Sequence, residues 1–142
     1  IRLIMEDKTE TTVLAKGQMY DNTKKVSQIV AGRYPIYYTE WNCNAILTSP
    51  SNDSKKVACF QVKSIDEMEE NVTGSSIWAF SDIFDEFMIV PEEFSGGFGL
   101  LTIHGIPKPQ FYALKLLSDA GSRKISGTDR GAGMSECSIV PD

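Results

Sequence analysis

The run Tyr34-Pro35-Ile36-Tyr37-Tyr38-Thr39-Glu40-Trp41-Asn42 constrains this chain more than any other stretch. Its aromatic and β-branched residues read as a short strand that starts after a proline and stops in an acid, an indole and an amide. Strict alternation sets Ile36, Tyr38 and Glu40 on one side, with Tyr37 and Thr39 on the other. A carboxylate closing an apolar strand does not serve packing, because burying it unpaired costs on the order of several kcal/mol. Two environments suit it: a half-exposed edge strand, or a pocket at the C-terminal end of a parallel strand.

The same layout recurs downstream. Residues 75–80 read as a second strand, with Ser76, Trp78 and Phe80 on one face and Ile77 and Ala79 on the other. Polar chemistry again ends it, as Ser81-Asp82 and then Asp85-Glu86. Between the two strands, residues 42–51 form a loop longer than most strand-to-helix connections. A helix capped near residues 51–53 follows, with Val57, Ala58, Gln61, Val62, Ile65 and Met68 as its buried face. Asp66, Glu67, Glu69 and Glu70 read as its solvated side.

An earlier helix is expected from cap chemistry at residues 21–23, with Val26, Ile29 and Val30 inward and Gly32 just past its end. A later one opens at Pro107-Lys108-Pro109, buries Phe111, Leu114, Leu117 and Ala120, and ends at Gly121. The short apolar runs 1–4 and 13–15 are weaker strand signals. Strand, loop, helix, strand, loop, helix implies parallel pairing through helical crossovers. Two strand ends bearing acids and aromatics, each before a long loop, match the functional face of a (β/α)8 barrel. The expected fold is therefore α/β and a partial barrel, since complete ones take roughly 250 residues and this chain has 142.

Residues 1–121 are assigned to that barrel piece. Residues 122–142, rich in Gly and Ser, are read as a polar tail or the start of an accessory β domain. The chain opens at Ile1 without an initiator Met or leader pattern and reads as a piece of a longer polypeptide. A net charge of −5 with scattered lysines argues against nucleic acid, and no apolar run approaches the roughly 20 residues of a membrane span. Three widely spaced cysteines without a CxxC weaken both a disulfide framework and a zinc site. The sequons at Asn52 and Asn71 leave the compartment open.

Four segments carry a specific resemblance. They are Tyr38-Thr39-Glu40-Trp41-Asn42, the run from Ile77 through Trp78 to Asp85-Glu86, Phe94-Ser95-Gly96-Gly97-Phe98-Gly99-Leu100-Leu101, and Gly105-Ile106-Pro107-Lys108-Pro109. In this order, over about residues 34–121, the chain resembles the C-terminal part of the catalytic barrel of glycoside hydrolase family 39, the β-xylosidase and α-L-iduronidase family. The xylosidase-type members are the nearer match. The resemblance implies barrel strands seven and eight, completed by a missing segment or partner chain. It implies a retaining glycosidase acting on a β-xyloside or related sugar, with Glu40 as nucleophile and Trp78 walling the sugar. Asp85 and Glu86 would hold sugar hydroxyls, although the family commonly has a Glu-Glu pair there. Trp41 and Asn42 are expected beside the substrate. No cofactor and no metal are implied.

Retaining hydrolysis needs a second carboxyl about 5–5.5 Å from the nucleophile. The family keeps it in an Asn-Glu pair upstream of every segment matched here, and no such pair in that context occurs in the chain. The piece alone is therefore expected to be inactive, and to associate with the missing barrel segment or with itself. A non-catalytic carbohydrate-binding or interaction module on a half-barrel is the alternative. The glycine run 96–99 is not a phosphate loop, because no Lys-Ser/Thr or helix follows it. His104, the single histidine, has no nucleophile motif beside it and reads as a turn residue.

Overall fold

The computed structural model describes residues 17–84 and 89–121. Expectations for residues 1–4, 13–15 and 122–142, and for Asp85 and Glu86, fall outside them. The described chain runs α1 (Gln18–Val30), β1 (Tyr37–Trp41), a 3-10 turn (Pro50–Asp53), α2 (Lys55–Met68), β2 (Gly74–Ile77) and α3 (Pro109–Asp119).

The two strands pair in parallel, Tyr37 with Gly74 and Tyr38 with Ser75, as a helical crossover requires. Helix α2 is that crossover, and it packs against both α1 and α3. Ser54 caps it by accepting the Lys56 N–H, so the expected cap at residues 51–53 instead forms the preceding 3-10 turn. Its buried residues are Val57, Ala58, Phe60, Gln61, Ser64 and Met68. Phe60 and Ser64 extend the stripe seen in the sequence, while Val62 and Ile65 stay half-buried.

Helix α1 departs further from expectation. It starts at Gly17, whose φ of 77° lets the chain turn in left-handed geometry. Met19 and Thr23 are its buried residues, and the Thr23 hydroxyl lies 3.0 Å from the Tyr38 hydroxyl of β1. That bond sets the helix's rotation. Val26 and Ile29, expected inward, are exposed. The core gathers Met19, Trp41, Cys43, Val57, Phe60 and Met68, with Tyr38, Ile65, Val72 and Ile77 packed on it.

After Ile77 the chain leaves strand geometry, three residues before the expected end. The Trp78–Ala79 peptide is cis. Further on, Leu101 makes single bridges to Ser81 and to Pro107. Pro109 opens α3 as expected, but only Gln110 is buried there, and Phe111, Leu114 and Leu117 are half-covered.

Candidate active site

The end of β1 is irregular where the acid stands. Tyr38 pairs with Ser75 and Trp41 with Ile77, so β1 carries one residue more than β2 over this interval. Such a bulge re-aims side chains. Here it brings Trp41 to the side that Tyr38 occupies, and both pack on the core beneath the helices. Glu40, next to buried Trp41, therefore falls on the opposite face and is exposed. The expected sharing of one side by Tyr38 and Glu40 does not hold, because alternation resets at the bulge.

Trp41 is 2 % exposed, with its ring centroid 6.4 Å from that of Phe60. Within the described residues it is a core side chain. Asn42 is committed too. Its Nδ2 donates to the Trp78 carbonyl, and its Oδ1 accepts from the Cys43 N–H at 2.8 Å and from Gln61 Nε2 at 3.3 Å. It braces one strand end against the other.

Trp78 stands across from this brace. Its N–H donates to the Trp41 carbonyl at 3.0 Å, which fixes it at the same sheet end as Glu40. The indole is half-buried and meets Phe84 edge-on, 4.7 Å between centroids at 81°. A cleft beside it is lined by Leu47, Ala79, Phe84, Val90 and Phe98. Its volume is about 20 Å³, room for a water rather than a sugar ring. Asp85 and Glu86 lie outside the described residues.

Behind these strand ends sits a buried charge cluster that the sequence did not announce. Lys108 Nζ is 2.6 Å from Asp53 Oδ1 and 2.6 Å from Asp82 Oδ2, with the Lys108 and Asp82 side chains fully buried and that of Asp53 nearly so. Gln110 Nε2 donates to the carbonyls of Asn52 and Gly99 close by. The signal that would have found it was the glycine run itself. Glycines that cradle no phosphate mark a close backbone approach, and a lysine held extended before a proline is a fixed reach.

The other titratable candidates do no chemistry at the strand ends. Burial pushes the Cys43 thiol up to about 11, although the Asn44 amide donates to its sulfur at 3.1 Å. It stays a neutral thiol rather than a nucleophile. His104 is exposed and pairs with Glu93 at 2.5 Å. The Thr102 hydroxyl, and then His104, hold the Glu93 carboxyl below its usual range. Among the described residues, no three of His, Cys, Asp and Glu converge to hold a metal ion, and no helix is long and apolar enough to cross a membrane.

Glu40 is exposed at the end of the strand pair where the Trp78 backbone is tied to Trp41, and comparison with known proteins shows the family to which such a chain belongs. The profile of glycosyl hydrolases family 39 matches residues 3–132. The chain belongs to that family. One relative, the β-xylosidase of Caldicellulosiruptor saccharolyticus, is 39 % identical over 111 residues, covering 78 % of this chain and 22 % of that protein. The β-xylosidase of Geobacillus stearothermophilus is 34 % identical over 91 residues, 64 % of this chain and 18 % of that protein. Among solved structures, the family 39 enzyme from Xanthomonas axonopodis pv. citri superposes with a TM-score of 0.68 at 31 % identity, covering 74 % of this chain and 22 % of that one. A family 39 β-xylosidase from Caulobacter crescentus gives 0.66 at 29 %, with 70 % and 23 % covered. The chain thus spans about a fifth of the length of these relatives. Its small parallel α/β unit fits a partial family 39 barrel.

Proposed function

We propose that this chain supplies the nucleophile side of a retaining, β-xylosidase-like glycoside hydrolase, with β1 and β2 as barrel strands seven and eight. One observation carries the reading. The bulge in β1 sends Trp41 into the core and leaves Glu40 exposed, at the sheet end where Trp78 is tied across the pair. The curated relatives are named as β-xylosidases, which supports a terminal β-xyloside as substrate.

In this reading the first displacement forms a bond between a Glu40 carboxylate oxygen and the anomeric carbon as the glycosidic bond breaks. The leaving oxygen takes a proton from an acid outside the matched segments. That group, now a base, draws a proton from water, which attacks the anomeric carbon and frees Glu40 with net retention. Trp78 walls the sugar, and Asp85 and Glu86 hold its hydroxyls.

The test uses a full-length barrel that contains this sequence with Glu40→Ala. Turnover of an aryl β-xyloside is expected to fall by at least about 10⁴-fold, as loss of a catalytic nucleophile does. Added azide then takes the vacated place and yields a glycosyl azide of inverted anomeric configuration. A folded variant that keeps near-normal turnover would reduce Glu40 to a structural acid.

A further inference from the structure

The glycine run 94–99 and the Pro-Lys-Pro at 107–109 have no part in the proposed chemistry, yet the most deeply buried charges lie against them. Pro109 holds Lys108 extended, at φ −88° and ψ 168°. Its backbone N–H donates to the Leu100 carbonyl at 2.9 Å. Its ammonium is ion-paired with Asp53 Oδ1 and Asp82 Oδ2 at 2.6 Å each, and donates to the Gly97 carbonyl at 3.0 Å.

Each carboxylate spends its other oxygen on a glycine N–H. Asp53 Oδ2 accepts from Gly96 at 2.6 Å, and Asp82 Oδ1 from Gly99 at 2.7 Å. A Cβ on Gly97 would stand 2.2 Å from Asp82 Oδ1, and one on Gly99 2.4 Å from the Asp82 nitrogen. Gly97 is glycine because it lies directly on the Asp82 carboxylate, and Gly99 because it lies on the backbone of the same residue.

What the cluster joins is informative. Asp53 ends the loop that leaves the strand of Glu40, and the neighbouring Asn52 donates to the Gly96 carbonyl at 2.7 Å. Asp82 belongs to the segment that leaves Trp78. One residue beyond Gly97, the Phe98 carbonyl accepts the Ala79 N–H at 3.2 Å, directly after the indole. Lys108 thus ties both segments to the belt between them. At 0 % exposed, it cannot itself meet a sugar.

We propose that Lys108 is the positioning residue of this site, setting the Glu40 loop against the Trp78 segment from behind without touching substrate. The inference rests on the reading of Glu40 and Trp78 given under Proposed function. Misplacing reacting groups by about an ångström costs roughly 10²-fold in rate, so the lock is expected to act on turnover itself.

The experiment compares a full-length barrel that contains this sequence with its Lys108→Met variant. A 2-deoxy-2-fluoro xyloside with a good leaving group counts competent sites by the burst of released leaving group. kcat and KM for an aryl β-xyloside are then expressed per titrated site. The expected result is a fall of about 10- to 100-fold in per-site kcat with a rise in KM. A residue that only stabilised the fold would lower the number of titratable sites and leave both constants, per site, within about twofold. That result overturns the proposal.

Because Lys108→Met strands two buried carboxylates, Lys108→Met/Asp53→Asn/Asp82→Asn is measured alongside. It keeps shape and glycine-facing acceptors without buried charge, and the same per-site loss is expected. Failure of both variants to give any titratable site would make Lys108 a folding residue and also overturn the proposal. Mapping the fluoro-sugar label in the unsubstituted enzyme separates the two readings. A label on a residue other than Glu40 removes the nucleophile assignment, while the per-site comparison at Lys108 still stands.

Discussion

Cys43 lies three positions after Glu40, and its chemistry is decided by burial. The side chain is 1 % exposed, and desolvation raises its thiol from 9.0 to about 11, against the smaller pull of the Asn44 amide. Since the thiolate is the reacting form, Cys43 is inert where exposed Cys59 reacts normally. Brief treatment of the native chain with iodoacetamide near pH 8 should alkylate Cys59 and spare Cys43, as read by peptide mapping. Full labelling of Cys43 before unfolding would contradict this placement. The sign of the pH effect follows from the same shift. A folded value above the unfolded one stabilises fully below about pH 9, and that contribution is lost as pH rises toward 11. Two units correspond to about 3 kcal/mol. Unfolding free energies measured across this window should therefore fall more steeply in the native sequence than in Cys43→Ala.

Among the elements, the loop over residues 94–101 is held by contact rather than by regular structure, and two glycines separate the possible reasons for a glycine. At Gly97 the obstacle is the Asp82 carboxylate, 2.2 Å from where a Cβ would stand. At Gly105 there is open space, and only a φ of +83° disfavours a side chain. Gly97→Ala should cost about 3 kcal/mol or more in chemical denaturation, combining overpacking with displacement of Asp82 from Lys108. Gly105→Ala should cost about 1 kcal/mol, through backbone strain alone. Equal costs would mean that the belt is not pressed on the cluster. The same distinction explains what the sequence could disclose. Periodicity located α2 and the opening of α3, because their patterns are local. The parallel pairing followed from the order of elements. The rotation of α1 was hidden, since a single Thr23–Tyr38 contact across the sheet outweighs the local apolar trio Val26, Ile29 and Val30. The burial of Trp41 was hidden for a related reason. A bulge shifts alternation by one residue, and nothing in Thr39-Glu40-Trp41 announces it. The Lys108 cluster joins residues up to 55 positions apart, Asp53 and Lys108, so the glycine run could mark a close approach but not name its partners.

At the scale of the whole molecule, the described residues form a two-stranded sheet in which each strand pairs only with the other. Each strand therefore has an unpaired edge, the situation that a closed barrel abolishes. Large apolar side chains accompany those edges: Tyr34 is 69 % exposed, Tyr37 60 %, Phe80 69 % and Ile83 65 %. Tyr37 lies on the face turned away from the helices, and Phe80 follows the end of β2. Single exposed apolar groups are ordinary, but several of them beside open sheet edges are an association surface. A two-stranded sheet is also marginal without neighbours. The 142-residue chain on its own is therefore expected to self-associate, or to join the rest of the barrel when that is supplied. It should show no turnover of an aryl β-xyloside by itself, for want of the acid/base, whose loss removes about 10²–10⁴-fold, and of the remaining pocket wall. Sedimentation velocity across a dilution series checks the first expectation, and should show species heavier than 15.7 kDa that dissociate on dilution. Substituting Tyr37→Lys and Phe80→Lys, both exposed and outside the core cluster, should shift the distribution toward monomer while the helical circular dichroism stays unchanged. A compact monomer at every concentration would show that the edges and apolar faces are already satisfied within this chain.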